Sequence, residues 1–461
     1  MSGVASMPME PWPLVSVSDV ADIIRGVTYS KEDAIDQPHE GYTPVLRATN
    51  IQDSRLVLGA DLVFLPDANV SAAQRLRTGD IVIATSSGSK HLVGKSGLVH
   101  SDWRGSFGAF CAALRPKSVI EPRFLAAFLQ SPSYWKQVGK KALGVNINNL
   151  RRGDIESLAL PLPPMGKQLE IVAEIEKQFS RLDEAVANLQ RVKANLKRYK
   201  ASVLKAAVEG RLVETEASIA NREGRSYETG EQLLQRILDE RRAKWIGNGK
   251  YKEPITPVTD ELPDLPEGWT WATMPQLGEL NRGKSKHRPR DDQALYGGPY
   301  PFIQTGDVRR SDGSITAFTQ TYSELGLAQS RLWPAGTLCI TIAANIAETG
   351  ILKIEACFPD SVVGFIPLLG SPTVDYVESF IRTARDGLDR FASATAQKNI
   401  NLEVLEAVAI PTPPLAEQVR IVAEVDRHLS IVREVEAEVD TNLQRAQALR
   451  QSVLSEAFHT P

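Results

Sequence analysis

The chain has 461 residues, of which 42% are hydrophobic and 24% charged, and its formal net charge is −3. This balance is ordinary for a globular protein and argues against a molecule that binds polyanions over its whole surface, so any nucleic-acid contact must come from local basic patches. Three cysteines without a C-x-x-C pair encode neither a disulfide framework nor a zinc ribbon. Residues 1–13 lack the pattern of a signal peptide, and no apolar run is long enough to span a bilayer, so we expect a cytoplasmic protein.

The first part of the chain predicts a β-rich domain at 12–160. Turns rich in Gly, Asp and Ser separate short β-branched and apolar runs, which is typical of strands. The predicted strands lie at 43–48, 80–85 and 107–114, and the predicted helices at 122–129 and 133–141. An Asn-rich loop at 146–150 closes the domain.

Several polar side chains of this domain are candidates for DNA contacts. The loop at 88–96 resembles a phosphate-binding loop, but its glycine spacing is one residue too long and no helix follows it. We interpret its lysines as contacts to DNA phosphates or as ordinary loop residues. Other polar groups could read base edges, although turns collect the same residue types. The candidates are Arg47, Thr49, Asn50, Lys90, Lys95, Lys140, Lys141, Asn146 and Asn148.

A long helix is predicted at 165–209, directly after a Pro-rich stop. Its interior contains no Pro, and its apolar residues recur at spacings of three and four. A stripe so narrow, sustained over about ten turns, is typical of a coiled-coil seam, with a surface helix lying on its own domain as the alternative. The seam consists of Val172, Ile175, Phe179, Leu182, Val186 and Leu189 and continues beyond them. We assign 161–210 to this helix and its start.

Residues 211–268 predict a linker. Within it, 229–245 favours a short amphipathic helix with Thr229 as its N-cap. An irregular connector rich in Gly, Pro and Thr follows.

The second half of the chain repeats the first. At a constant offset of 250, ten of the 22 residues at 155–176 are identical to those at 405–426. Segments 45–51 and 79–85 match 302–308 and 336–342 at an offset of 257. We therefore predict a second β-rich domain at 269–410 and a second long helix within 411–459, related to the first copy by a pseudo-two-fold axis. The predicted strands lie at 301–305, 336–342 and 362–369, and a predicted helix at 374–385.

The second domain also carries basic and amide-bearing loops. Five Lys and Arg residues lie within 281–290, where interspersed Gly and Pro indicate a flexible loop. Such a loop is either simply solvated or follows DNA phosphates. The candidates are Arg282, Lys284, Lys286, Arg288, Arg290, Gln304, Thr305, Arg309, Arg310, Lys398 and Asn399.

The two long helices have opposite charge. Residues 165–209 hold nine Lys and Arg against six Asp and Glu, a net of +3, whereas 415–457 hold five against eight, a net of −3. Opposite charge favours a mixed helix pair, and a two-fold relation makes it antiparallel. The second seam consists of Val422, Val425, Leu429, Val432 and Val439, and we extend it through Val435.

The sequence contains no recognisable catalytic motif. It has no D/E-x-K pair, no Asn-Pro-Pro or Asp-Pro-Pro, no G-x-G-x-x-G, and no histidine spacing suited to a metal. We therefore predict that the chain is not an enzyme and binds no metal.

The order of these features resembles the DNA-specificity (S) subunit of type I restriction–modification systems. The resemblance covers essentially the whole chain and rests above all on the Pro-Pro-x-x-x-Gln-x-x-Ile-Val-x-Glu helix start at 163–174 and again at 413–424. The first Asn-rich loop departs from the Gln-Lys-Asn-Ile form found at 397–400.

This resemblance implies an α+β protein with two β-rich target-recognition domains separated by a long antiparallel two-helix coiled coil. Each domain would read one half of a bipartite site on double-stranded DNA, and the helices would set the spacer and dock partner subunits. The partners would be two methyltransferase (M) subunits with S-adenosylmethionine and restriction (R) subunits with ATP and Mg. Three alternatives remain: the specificity part of another bipartite-site system, a fused enzyme, and a structural scaffold whose domains bind protein.

Overall fold

The computed structural model describes residues 12–86, 92–142, 149–246, 249–287, 289–343, 346–393 and 400–459, without the side chains of residues 140–142 and 386–393. The chain divides into two units. Unit 1 consists of Met1–Arg191 with Val439–Pro461, and unit 2 is Val192–Glu438. Each long helix therefore has one half in each unit.

Unit 1 is built on an antiparallel four-stranded sheet with smaller sheets beside it. Its strands are Leu14–Ser16 (β1), Ala21–Arg25 (β2), Tyr42–Leu46 (β3), Ile51–Gln52 (β4), Arg55–Leu56 (β5), Val63–Pro66 (β6), Ile81–Ala84 (β7), Ser96–Leu98 (β8), Ser106–Phe107 (β9), Cys111–Pro116 (β10) and Ala159–Pro161 (β11). Its helices are Val17–Val20 (α1), Pro122–Phe128 (α2), Pro132–Ala142 (α3), Arg152–Glu156 (α4) and the first half of Met165–Val208 (α5). The strand order of the main sheet is β2-β10-β7-β8.

Unit 2 has the same plan. Its strands are Thr270–Thr273 (β12), Gly278–Arg282 (β13), Tyr296–Phe302 (β14), Gly313–Ile315 (β15), Gln320–Tyr322 (β16), Leu338–Thr341 (β17), Thr349–Leu352 (β18), Val362–Pro367 (β19) and Ala409–Thr412 (β20). Its helices are Glu216–Glu223 (α6), Gly230–Ala243 (α7), Met274–Leu277 (α8), Thr305–Arg310 (α9), Glu324–Ala328 (α10), Ser371–Ser393 (α11), Leu402–Ala407 (α12) and the first half of Leu415–Ala457 (α13). The order β13-β19-β17-β18 repeats that of unit 1, and β15 adds a parallel strand to β18.

The repeated helix start has a structural reason in both units. Gln168 is fully buried, and its side-chain amide donates to the Pro163 carbonyl at 2.9 Å while its side-chain oxygen accepts from the Glu121 backbone N–H at 2.8 Å. Gln418 likewise donates to the Pro413 carbonyl at 2.9 Å and accepts from the Thr373 hydroxyl at 3.0 Å. The glutamine thus satisfies a carbonyl that the Pro-Pro segment leaves without an intrahelical partner and anchors the helix to its own domain.

The helix seam is completed within unit 1 by the far end of α13. Val172 and Ile175 of α5 are buried in the same core cluster as Leu454 and Phe458. Further along the helix pair, the guanidinium of Arg450 on α13 lies 4.1 Å from the centroid of the Phe179 ring on α5. The start of α5 therefore packs against the end of α13.

The opposite ends of the two helices pack together within unit 2. Val203 and Leu204, near the end of α5, share a core cluster with Ile421 and Val425, near the start of α13. Taken with the contacts in unit 1, this confirms the predicted antiparallel pairing. Between the ends, Leu182, Val186 and Leu189 are half-buried, as expected for a seam covered by one partner helix.

The seam of α13 follows a strict heptad, and this corrects one prediction. Val425, Val432, Val439 and Ala446, spaced seven residues apart, are all buried, whereas Val435 is 37% exposed. Glu436 takes the half-buried seam position beside Val435. The prediction that Val435 belongs to the seam was wrong because it relied on apolar character alone. The heptad position is occupied by Glu436, whose charged side chain has a long aliphatic stem.

The linker folds onto unit 2. As predicted, Thr229 is the N-cap of α7, and its hydroxyl accepts from the Gln232 backbone N–H at 3.2 Å. The short helix α6 was not predicted. The Glu216 N–H at its first turn donates to the buried Glu417 carboxylate at 2.9 Å, and burial raises the pKa of Glu417.

The predicted strand at 301–305 is wrong at its end. The strand β14 stops at Phe302, and helix α9 begins at Thr305. The reason is local: the Asp307 carboxylate accepts a hydrogen bond from the Gln304 backbone N–H at 2.9 Å and so caps a helix where the sequence continues an apolar strand pattern.

Candidate nucleic-acid interface

The strand ends of the main sheet bring several connections to one edge in each unit. In unit 1 the antiparallel register pairs Arg25 with Ala112 and Ala84 with Cys111, so β2 and β7 end where β10 begins. In unit 2 the same register pairs Arg282 and Thr341 with the first residues of β19. We call these strand ends, with the connections that leave them, the loop edge of each unit.

Both Asn-rich loops end at this loop edge. The Leu150 N–H donates to the Thr85 carbonyl at 2.7 Å, directly after β7. The Ile400 N–H donates to the Ile342 carbonyl at 3.2 Å, directly after β17. The duplication therefore extends to the position at which each loop rejoins the sheet. The candidates Asn146, Asn148, Lys398 and Asn399 lie outside the described residues.

The matched polar segments after β3 and β14 form equivalent capped turns. In unit 1 the side-chain oxygen of Asn50 accepts from the Arg47 N–H at 2.8 Å, as the Asp307 carboxylate does from the Gln304 N–H in unit 2. Asn50 is only 1% exposed, and its amide also donates to the Ala60 carbonyl at 2.7 Å. This corrects the prediction that Asn50 reads a base, because its polar atoms are used inside the protein.

The neighbours of Asn50 and Asp307 remain at the surface. Arg47 forms an ion pair with Asp61 and donates to its carbonyl, and the Thr49 hydroxyl donates to the same carboxylate at 2.7 Å. In unit 2 the Gln304 side chain is bonded to that of Gln320. Thr305, the first residue of α9, is half-buried. Arg47 or Gln304 could therefore contact DNA only by giving up the bond that it makes at the protein surface.

The basic loop of unit 2 is held by one residue, Asp360. Arg290 forms an ion pair with Asp360 at 3.0 Å, and the Arg282 guanidinium donates to the Asp360 carbonyl at 2.9 Å. Lys284 and Lys286 lie between them and are exposed. The arrangement presents two lysines on a loop fixed at both ends. Arg288 lies outside the described residues.

The remaining basic candidates differ in their surroundings. Arg310 is 63% exposed and pairs with the buried Asp307 at 2.6 Å, and its neighbour Arg309 is exposed. Lys95 is half-buried. Lys140 and Lys141 lie on α3, but their side chains are outside the described part of the chain, as is Lys90 altogether.

Several kinds of site can be set aside for the described ranges. Across those ranges, His, Cys, Asp and Glu form no group of three that could hold a metal ion, and no helix is long and apolar enough to cross a membrane. All three thiols are buried, and burial raises the pKa of Cys111 to about 12 and that of Cys339 further still. A thiol that stays protonated is a poor nucleophile and metal ligand.

Comparison with known proteins identifies the family. The sequence matches the type I restriction modification DNA specificity domain twice, over residues 9–198 and 266–441. The chain belongs to this family.

Individual relatives agree over nearly the full length. The chain is 28% identical over 461 residues to the type I restriction enzyme EcoKI specificity subunit of Escherichia coli, covering 97% of this chain and 89% of the relative. It is also 28% identical over 453 residues to the StySPI specificity subunit of Salmonella potsdam, with the same coverage. A solved structure from work on complex assembly and conformational transition of the type I R-M system has the same fold, with a TM-score of 0.66, 19% identity and 99% of each chain covered.

The chain is thus a specificity subunit of a type I restriction–modification system with two recognition domains. Its relatives are specificity subunits rather than enzymes, so this relationship confirms the prediction of a non-catalytic chain. DNA and the other subunits of a restriction–modification complex are its partners.

Sequence reasoning missed two residues at the loop edge of this specificity subunit. Arg25 ends β2 as Arg282 ends β13, and Phe110 precedes β10 with 68% of its surface exposed. The offset of 257 that relates Arg25 to Arg282 was the available signal for the first. No sequence signal distinguished Phe110 from the buried apolar residues around it.

Proposed function

We propose that each unit reads one half of a bipartite site on double-stranded DNA through its loop edge. The observation that carries this proposal is the repetition of the loop edge itself: the same strand order, the same register, and an Asn-rich loop rejoining the sheet after the third strand of each. Two equivalent edges with different side chains suit two half-sites of different sequence.

We further propose that the helix pair α5–α13 sets the spacer between the half-sites and docks two methyltransferase subunits. Both helices are uninterrupted, with 44 and 43 residues, and each takes part in both units. The methyltransferase subunits would carry S-adenosylmethionine, and the restriction subunits ATP and Mg, in the cytoplasm.

The test is the methylome of cells that express the system with helix insertions. Four residues inserted after Leu189, with four more after Val439, add about one turn of ~5.4 Å to each helix, so the recognised spacer should lengthen by about one to two base pairs. The half-sites should stay unchanged because no loop is altered. A matched insertion of two residues rotates the seam by about 200° and should abolish modification. An unchanged spacer in a stable four-residue variant would refute the spacer role of the helices.

A further inference from the structure

Unit 1 has a cavity of about 580 Å³ at its loop edge that contains three arginines. Arg25, Arg151 and Arg152 line it together with Ser86, Phe110 and Asn149. None of its described lining residues is Asp or Glu. A concave site lined by three arginines, two of them without a carboxylate partner among the described residues, favours an anionic ligand.

Phe110 is displayed in this cavity by a fixed backbone. The Thr85 and Ser86 N–H groups both donate to the Phe110 carbonyl, at 2.9 and 3.1 Å, and the next residue, Cys111, is buried. The ring is nevertheless 68% exposed. An exposed aromatic ring on a fixed backbone, beside cationic groups, offers a face on which another flat ring can stack.

Two of the arginines are available for a ligand. Arg25 and Arg151 are exposed, and within the described ranges their side chains make no ion pair or hydrogen bond. Arg152 differs because it pairs with Glu156 at 2.7 Å. Guanidinium groups without a carboxylate partner can bind phosphate through two parallel hydrogen bonds.

Unit 2 shows that the fold does not require this cluster. The Ile342 N–H donates to the Ser361 carbonyl at 3.0 Å, which is the bond that Thr85 makes to Phe110. Ser361 therefore stands where unit 1 has Phe110, and Asn401 and Leu402 stand where unit 1 has Arg151 and Arg152. Because equivalent backbone geometry forms without the aromatic ring and the two arginines, a packing role does not account for them.

We propose that the unit 1 cavity takes one unstacked nucleotide of the half-site that unit 1 reads, with the base on the Phe110 ring and the flanking phosphates on Arg25 and Arg151. The volume lies within the range of ordinary ligand sites. This inference rests on the proposed function, since it assumes that the loop edge of unit 1 contacts DNA. It makes the two half-sites different, because only one of them yields a base to the specificity subunit itself.

The experiment uses the full chain, assembled with its methyltransferase partners, on the duplex defined by the methylome. 2-Aminopurine, which brightens when unstacked, is placed at successive positions of each half-site except the methylated base, which the methyltransferase subunits themselves unstack. We compare the wild type with Phe110→Ser, the side chain found in unit 2, with Phe110→Trp, and with the double variant Arg25→Gln/Arg151→Gln. Matched controls are Trp245→Ser, another exposed aromatic residue, and Lys250→Gln/Lys252→Gln, two exposed residues of the linker.

The wild type should brighten one position in the half-site of unit 1 and none in the other. Phe110→Ser should remove this signal and weaken binding about tenfold to a hundredfold, while Phe110→Trp keeps both. The double arginine variant should lower the salt slope by about two units, unlike either control.

Each contrary outcome has a distinct meaning. If the wild type does not bind the duplex, the proposed function fails. If it binds without brightening any position, or if Phe110→Ser retains the signal, only this inference is refuted. Loss of assembly with the methyltransferase rather than of DNA binding would also overturn it and would indicate a protein ligand in the cavity.

Discussion

Phe458, which directly follows α13, packs edge to face against Phe128 of α2, with 5.6 Å between the ring centroids. It also contacts Phe124, at 5.1 Å. The core of unit 1 is therefore closed by side chains from the end of the sequence.

Phe458→Ala should destabilise unit 1. The ring is 7% exposed and touches two aromatic rings of α2, so its removal leaves a cavity and should cost about 3–5 kcal/mol. Urea denaturation followed by fluorescence measures the change. Leu449→Ala on the same helix is the control, and it should have little effect because Leu449 is 54% exposed. Equal losses for the two variants would contradict the role of Phe458.

A fragment of residues 1–210 should dimerise. At an offset of 250, Val203, Leu204 and Ala207 correspond to Val453, Leu454 and Ala457, so the end of α5 from a second copy can replace the end of α13 in unit 1. We expect a weak dimer, because Val208 replaces the larger Phe458 and the paired helices both carry a charge of +3.

Sedimentation equilibrium measures the association of this fragment. Leu204→Asp should make it monomeric and poorly folded. A monomeric wild-type fragment with a folded circular dichroism spectrum would show that unit 1 does not need the second helix.

Gln418→Ala should destabilise unit 2. It leaves the Pro413 carbonyl and the Thr373 hydroxyl without their partners in a site that is 1% exposed. Loss of both bonds predicts a decrease of about 2–4 kcal/mol in the free energy of unfolding. Gln447→Ala, exposed on the same helix, should be neutral, and thermal unfolding distinguishes the two.

The stability of unit 2 should depend on pH through Glu378. Burial raises the pKa of this carboxyl, against the lowering effect of Arg382 and the Thr349 hydroxyl. The native state therefore binds more protons than the unfolded state above the ordinary value of 4.5, so this group reduces stability as the pH rises through its native pKa. Glu378→Gln should flatten that decline, whereas Glu434→Gln on the exposed face of α13 should not. Urea denaturation at pH 5 and pH 8 provides the measurement.

Lys284→Gln/Lys286→Gln should weaken DNA binding on all sequences alike. If both lysines contact phosphates, the slope of log K against log salt should fall by about two units with no change in base preference. Lys250→Gln/Lys252→Gln, in the exposed linker, is the matched control. An unchanged slope in the loop variant would mean that this loop is only solvated.

The long helices and the duplication were predictable because they depend on local signals. Helix α5 was expected at 165–209 and is Met165–Val208, and α13 was expected at 415–457 and is Leu415–Ala457. Proline fixes where each helix begins, and apolar spacing indicates its buried face. Segments that recur at a constant offset in the sequence also predicted that the two sheets would be built from equivalent strands.

The candidate site was less predictable because side-chain use depends on tertiary partners. In the sequence, Asn50 and Gln304 both resemble amide side chains at the surface. In the structure, Asn50 is buried and bonded to backbone carbonyls, whereas Gln304 stays at the surface. Arg282 and Arg290 are likewise tied to Asp360, a residue distant in the chain. Phe110 belongs to an apolar segment, and only the bend before β10 exposes it.

The closing of unit 1 by α13 has a consequence for biosynthesis. Ribosomes add about 5–20 residues per second, so roughly 250 residues and some 10–50 s separate the end of α5 from that of α13. During this interval the apolar surface around Phe124, Phe128 and Val172 emerges without Leu454 and Phe458. The nascent chain thus presents its first recognition domain with an open core, which is the kind of surface that chaperones bind and that a stalled or truncated product would keep exposed.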